Sequence, residues 1–102
     1  MKKFRDLNVG ETIFIGFEKK FIKKIRKDFP LKDDVTIYTD DGEDYTIRNY
    51  VAFDYCYEKA TMVYSEKEAI IEFYKDKLID LKRDYDNRKA RLDNMLEIAK
   101  KL

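Results

Sequence analysis

The side chains most able to do chemistry in this sequence are carboxylates. Asp33, Asp34, Asp40, Asp41, Glu43 and Asp44 crowd into one short stretch. Hard oxygen donors of this kind hold divalent cations. Their spacing does not match a calcium loop, and half of them fall in a turn, where aspartate bonds its own backbone. The reading is therefore solvated turn charge, with no metal and no cofactor expected. A second cluster is cationic: Lys19, Lys20, Lys23, Lys24, Arg26 and Lys27, with Phe17 and Phe21 beside it. Lysines can track phosphates while aromatic rings stack bases. Lysines on an edge strand also discourage stray strand pairing. Aromatic residues recur at Tyr50, Phe53, Tyr55, Tyr57 and Tyr64. Tyrosine is enriched at binding hot spots, but such residues also close the core of a small sheet. Phe53 and Tyr55 are expected in the core. Tyr50 and Tyr57 join the basic cluster as candidate partner or nucleic-acid surface.

Composition removes more chemistry than it adds. The 102 residues contain no histidine. Ser-His-Asp and Cys-His catalysis, the usual base near neutral pH and most zinc sites go with it. No phosphate loop or nucleophile motif is present, so hydrolase or transferase activity is not expected and the chain is read as a non-enzyme. Basic and acidic residues nearly cancel, 22 against 21, for a net charge of +1. No global field attracts nucleic acid. The single cysteine, Cys56, has no histidine to activate it and is expected to be buried. One cysteine and no signal-peptide pattern fit a reducing cytoplasm. No apolar run is long enough for a membrane span.

Two regions position these residues. Residues 1–64 hold all three glycines and the only proline; residues 65–102 hold neither. In the first region, Thr12-Ile13-Phe14-Ile15-Gly16-Phe17 and Val35-Thr36-Ile37-Tyr38-Thr39 read as strands. Asp40-Asp41-Gly42-Glu43 is a turn and Asp44-Tyr45-Thr46-Ile47-Arg48 returns; a two-residue Asp-Gly hairpin would need positive φ at both central positions. The stretch 50–57 alternates, and a short strand follows at 61–64. Residues 19–28 fit two periods. As a helix they gather Phe17, Phe21, Ile22 and Ile25; as a strand, bulged if need be, they complete a five-stranded meander. The strand is preferred.

The second region opens on Ser65-Glu66-Lys67-Glu68, the pattern of a capping box. Beyond it Ile71, Tyr74, Leu78, Leu81, Tyr85, Arg88, Leu92, Met95, Ala99 and Leu102 recur at alternating spacings of three and four. That is a coiled-coil seam, broken only by Arg88. Asp84 stands one turn before Arg88 and can pair with it. A fold-back near residues 86–87 is the competing arrangement, though no Gly or Pro supports it. A helix over 65–102 would span about 57 Å, against roughly 27 Å for a compact module of the first region's size. Its far part therefore needs another helix, and a homodimer through these ten positions is expected.

The fold class expected is α+β: a small antiparallel β-barrel or sheet, then one long C-terminal helix. Val9-Gly10-Glu11-Thr12-Ile13 and Val35-Thr36-Ile37-Tyr38-Thr39-Asp40-Asp41-Gly42 resemble SH3-like small barrels of the KOW type. Barrel plus lysine-rich helix also looks like short proteins encoded by bacteriophages and mobile elements. That resemblance implies a protein-binding module in a bacterial host, of the kind that inhibits a host enzyme such as a CRISPR defence nuclease. The charge balance departs from ribosomal KOW proteins, which are strongly basic, so nucleic-acid binding through residues 19–27 ranks second.

Overall fold

A computed structural model describes all 102 residues, Met1–Leu102. A 3-10 turn, Phe4–Asp6, precedes six strands: β1 (Thr12–Ile15), β2 (Glu18–Lys27), β3 (Asp34–Thr39), β4 (Asp44–Arg48), β5 (Phe53–Cys56) and β6 (Thr61–Tyr64). One helix follows, α1 (Lys67–Lys100). The strands form a single six-stranded antiparallel sheet in the order β4-β3-β2-β1-β6-β5, so the expected five-stranded meander stops at β4, and β5 joins the sheet only through β6. Its two ends curl toward each other, giving a nearly closed barrel with a gap between β4 and β5. The chain divides into two compact units, Met1–Ile71 and Glu72–Leu102.

Alternation along each strand sets the interior. Ile13, Ile22, Val35, Ile37, Tyr45, Ile47, Cys56 and Val63 form the core, joined by Phe4 and Leu7 from the N-terminal turn. Backbone bonds from Phe4 to Val51 and from Arg5 to Asn49, each 2.9 Å, hold that turn against the loop after β4. Neither Phe4 nor Leu7 carries a strand or helix period, so pattern reading passes them over.

The segment 19–28 is a strand, and it is bulged. The β2–β3 register shifts between Ile22 and Lys24. The extra residue lets Ile22 and Ile25 both face inward, a spacing of three that imitates a helix. The Asp-Gly hairpin differs from expectation. Thr39 N–H bonds Glu43 O at 2.9 Å across the loop Asp40-Asp41-Gly42. Only Gly42, at φ 85°, is left-handed there. This is the three-residue hairpin with a left-handed glycine, which needs one positive φ and not two.

The capping box is not made. The Ser65 hydroxyl donates to the Lys2 carbonyl, and its amide donates to Ala52 O at 2.8 Å. Ser65 is 2% exposed and ties β6 to the N-terminus instead of opening the helix. The helix starts at Lys67, and Glu66 accepts from the Lys2 amide at 3.3 Å. The helix then runs unbroken through residues 86–87, so the fold-back does not occur. No helix is long and apolar enough to cross a membrane.

Candidate functional site

The expected alternation of the fifth strand is inverted. Asp54 pairs with Val63 and Cys56 with Thr61, which turns Asp54 and Cys56 inward. Phe53 and Tyr55 therefore lie on the opposite face, where Phe53 is half-buried beside the buried Tyr64 and Tyr55 is 39% exposed instead of lying in the core. A one-residue phase change moves every side chain to the opposite face. The buried tyrosines are Tyr45 and Tyr64. Cys56 is buried, as expected.

Asp54 sits at the gap between β4 and β5, with its side chain 11% exposed. Its carboxylate accepts from the Arg48 amide at 2.9 Å, from Arg48 Nε at 3.1 Å and from the other arm of the guanidinium at 2.8 Å. Its own neighbour, Tyr55 N–H, donates at 2.9 Å. One side chain thus replaces the ladder bonds missing between the strands. Burial works to raise the Asp54 carboxyl, but Arg48 and the two amides outweigh it and hold it below the usual aspartate range. Around this latch lie the exposed tyrosines. Tyr50 packs beside the Arg48 guanidinium, 5.8 Å from ring centre to carbon. Tyr55 and Tyr57 meet edge to face at 4.9 Å, and Tyr57 is 86% exposed.

The basic cluster of β2 does not form one patch with these tyrosines. In the sheet order β1 and β6 lie between β2 and β5. The cluster is also split across two faces. Lys20 pairs with Ile13, which puts it on the inner side. There its amine bonds Asp41 and, at 3.2 Å, the Tyr45 hydroxyl. The Asp41 hydrogen bond raises the Lys20 pKa against the cost of burial. Lys20 and the Thr39 hydroxyl in turn draw Asp41 down to about 2. Lys27 pairs with Val35 at the barrel rim. Lys19, Phe21, Lys24 and Arg26 occupy the outer face, and Lys23 stands at the bulge. Arg26 is stacked on Phe29 at 3.5 Å, and Lys24 lies over Tyr38 at 5.5 Å. Two of the expected cations therefore also lie over the chain's own rings.

The acidic stretch is dispersed in the same way. Asp41 belongs to Lys20, while Glu43 and Asp44 face Lys59 at 2.7 and 3.8 Å. No three acidic or cysteine side chains converge on a point that could hold a metal ion.

On the helix, the seam residues beyond the first turns are exposed. Leu78, Leu81, Tyr85 and Leu92 are each about two thirds exposed, between 65 and 67%. Met95, Leu96 and Ile98 follow at 58, 55 and 56%. Arg88 is not paired with Asp84. The ion pairs along this segment are Lys89–Asp93 at 3.0 Å and Lys100–Glu97 at 3.4 Å. Ile71 and Tyr74 are less exposed, at 42% each.

No family model, curated protein or solved structure matches the chain.

Proposed function

We propose that this chain is a non-enzymatic protein-binding module, with the long helix as its assembly arm and the β4–β5 gap of the barrel as its partner surface. The carrying observation is the row of exposed apolar residues on the helix: Leu78, Leu81, Tyr85, Leu92 and Met95. Water-exposed apolar surface of that extent and regularity marks an association site. Homodimerisation through this row is the form of assembly proposed. At the gap, Tyr50, Tyr55 and Tyr57 surround Arg48, and these are the residue types that dominate interface energetics. The absence of histidine supports a role without catalysis.

Two finer readings belong to this proposal. The barrel is of the SH3-like kind, and its likeness to short phage-encoded proteins makes a host enzyme, such as a defence nuclease, the class of target. The test is direct. A partner captured from nuclease-treated bacterial lysate is purified and titrated against wild type and a Tyr50→Ala, Tyr57→Ala double variant. Affinity is expected to fall at least about tenfold, since tyrosine hot spots cost more than about 1 kcal/mol on truncation. Unchanged affinity would remove the gap from consideration. One observation favours nucleic acid as a second reading: Lys19, Phe21 and Lys24 share the outer face of the sheet, with Phe21 54% exposed.

A further inference from the structure

The charge pattern beside the helix seam says which way a second copy must run. This inference rests on the assembly reading above and deepens it. Asp84, Tyr85, Arg88 and Arg91 lie within two turns of each other, and the side chain of none has a hydrogen bond, ion pair or ring contact within the chain. A charged residue at a seam position, left without an intrahelical partner, needs a counterpart on the facing helix.

We infer that the seam is occupied by a second copy of this chain running antiparallel, in the register that sets Arg88 opposite Tyr85 of the other copy. In that register Leu81 meets Leu92 and Leu78 meets Met95. The alternation of three and four reads the same in both directions, so no seam residue falls out of step. The guanidinium of Arg88 lies over a phenol ring, a favourable cation–π pairing. Asp84 faces Arg91 of the other copy on both sides of the symmetry axis. Lys75 and Lys77 run their methylene stems along Leu96 and Ile98. Those two apolar residues sit beside the seam, and this register is what covers them.

The alternatives are worse on the same residues. A parallel pair sets Arg88 against Arg88 and Lys77 against Lys82, with Asp84 against Lys89 as its one gain. An antiparallel pair shifted by one heptad sets Asp84 against Asp84 and Lys77 against Arg91. The register inferred has one like-charge contact, Lys82 against Lys89. Lys89 is already held by Asp93 at 3.0 Å on the outer side of the helix, which draws it away from the seam.

Cysteine crosslinking of the full chain tests orientation separately from assembly. Leu81→Cys and Leu92→Cys variants are oxidised alone and mixed, after sedimentation shows each to be dimeric under reducing conditions. Wild type is the control, because its only thiol, Cys56, is 1% exposed. The mixture is expected to give the crosslinked dimer in clear excess over either variant alone. Self-crosslinking of each variant, or dimers without the mixed crosslink, overturns the register and leaves the assembly standing. Monomeric wild type overturns both. A charge exchange checks the result without cysteines. Asp84→Arg is expected to weaken association about tenfold, and adding Arg91→Asp to restore it, because exposed pairs of this kind are individually modest but change sign on both sides of the axis. In a parallel dimer Asp84 faces Lys89, so the added Arg91→Asp would restore nothing.

Discussion

Asp54 faces inward on β5, at a position where an apolar side chain would ordinarily sit. Its carboxylate is satisfied by Arg48 and two backbone amides, so the buried charge is paired and the gap between β4 and β5 is pinned. Asp54→Asn keeps the shape and removes the charge. It is expected to cost about 2 kcal/mol in denaturant unfolding, the usual scale for hydrogen bonds to a charged group. The sign of the pH effect follows from the lowered carboxyl. A carboxylate depressed in the folded state adds stability that is present above its unfolded value, near 3.8, and is lost as pH falls through the folded value. Wild-type stability should therefore decline below about pH 4, and the Asn variant should show a shallower decline. Equal acid slopes would mean that Asp54 is not the latch. Sequence alone offered one signal for this residue: Asp54 alternates in phase with Cys56, the buried thiol. The aromatic residues on either side obscured it, because ring size suggested that Phe53 and Tyr55 were the inward pair.

At the scale of elements, the strands and the helix were legible because each carries its own period over enough residues. The strand at β2 was legible with a bulge allowed for, although the bulge at Lys23 gives its apolar residues a helical spacing. Three features were not legible, and each reflects a tertiary contact. The N-terminal turn buries Phe4 and Leu7 without any repeat. Ser65 fits a capping box, but its hydroxyl goes to Lys2 on the neighbouring N-terminal segment. The latch between β4 and β5 joins strands that do not share a ladder. Two predictions belong here. Gly42 adopts φ 85°, and an added Cβ would meet nothing within 4 Å. Gly42→Ala should therefore destabilise through backbone strain alone, by about 1 kcal/mol in urea unfolding. A neutral result would show that the hairpin relaxes to another turn. For the helix, Leu92→Asp places an unpaired carboxylate in the seam, where burial without a partner costs several kcal/mol, roughly. Dimers should be lost in sedimentation at tens of micromolar, an order-of-magnitude choice, while the near-ultraviolet signal of the barrel tyrosines stays. A variant that dimerises like wild type would place the interface elsewhere.

At the scale of the whole molecule, the balance of 22 basic and 21 acidic residues separates the two binding readings. A protein that holds nucleic acid by its phosphates releases counterions, so its affinity falls steeply with salt in proportion to the charges neutralised. An interface anchored by Tyr and Leu responds far less. Of the six cations in residues 19–27, only Lys20 is neutralised, by Asp41, while Arg26 and Lys24 lie over Phe29 and Tyr38 with their charge intact. The near-cancelling charge of the whole chain adds no wider field to the five that remain. Binding to generic DNA or RNA is therefore expected to be weaker than about 10 µM at physiological salt, within the range of non-specific contacts. Titration of a fluorescent oligonucleotide across a salt series measures it, with a Lys23→Glu, Lys24→Glu double variant alongside. Both residues lie outside the core and away from the β4–β5 gap, so the variant should fold and should still bind a protein partner. Submicromolar binding of the oligonucleotide, with a steep salt slope and loss in the double variant, would reverse the order of the two readings and make the outer face of β2 the functional surface.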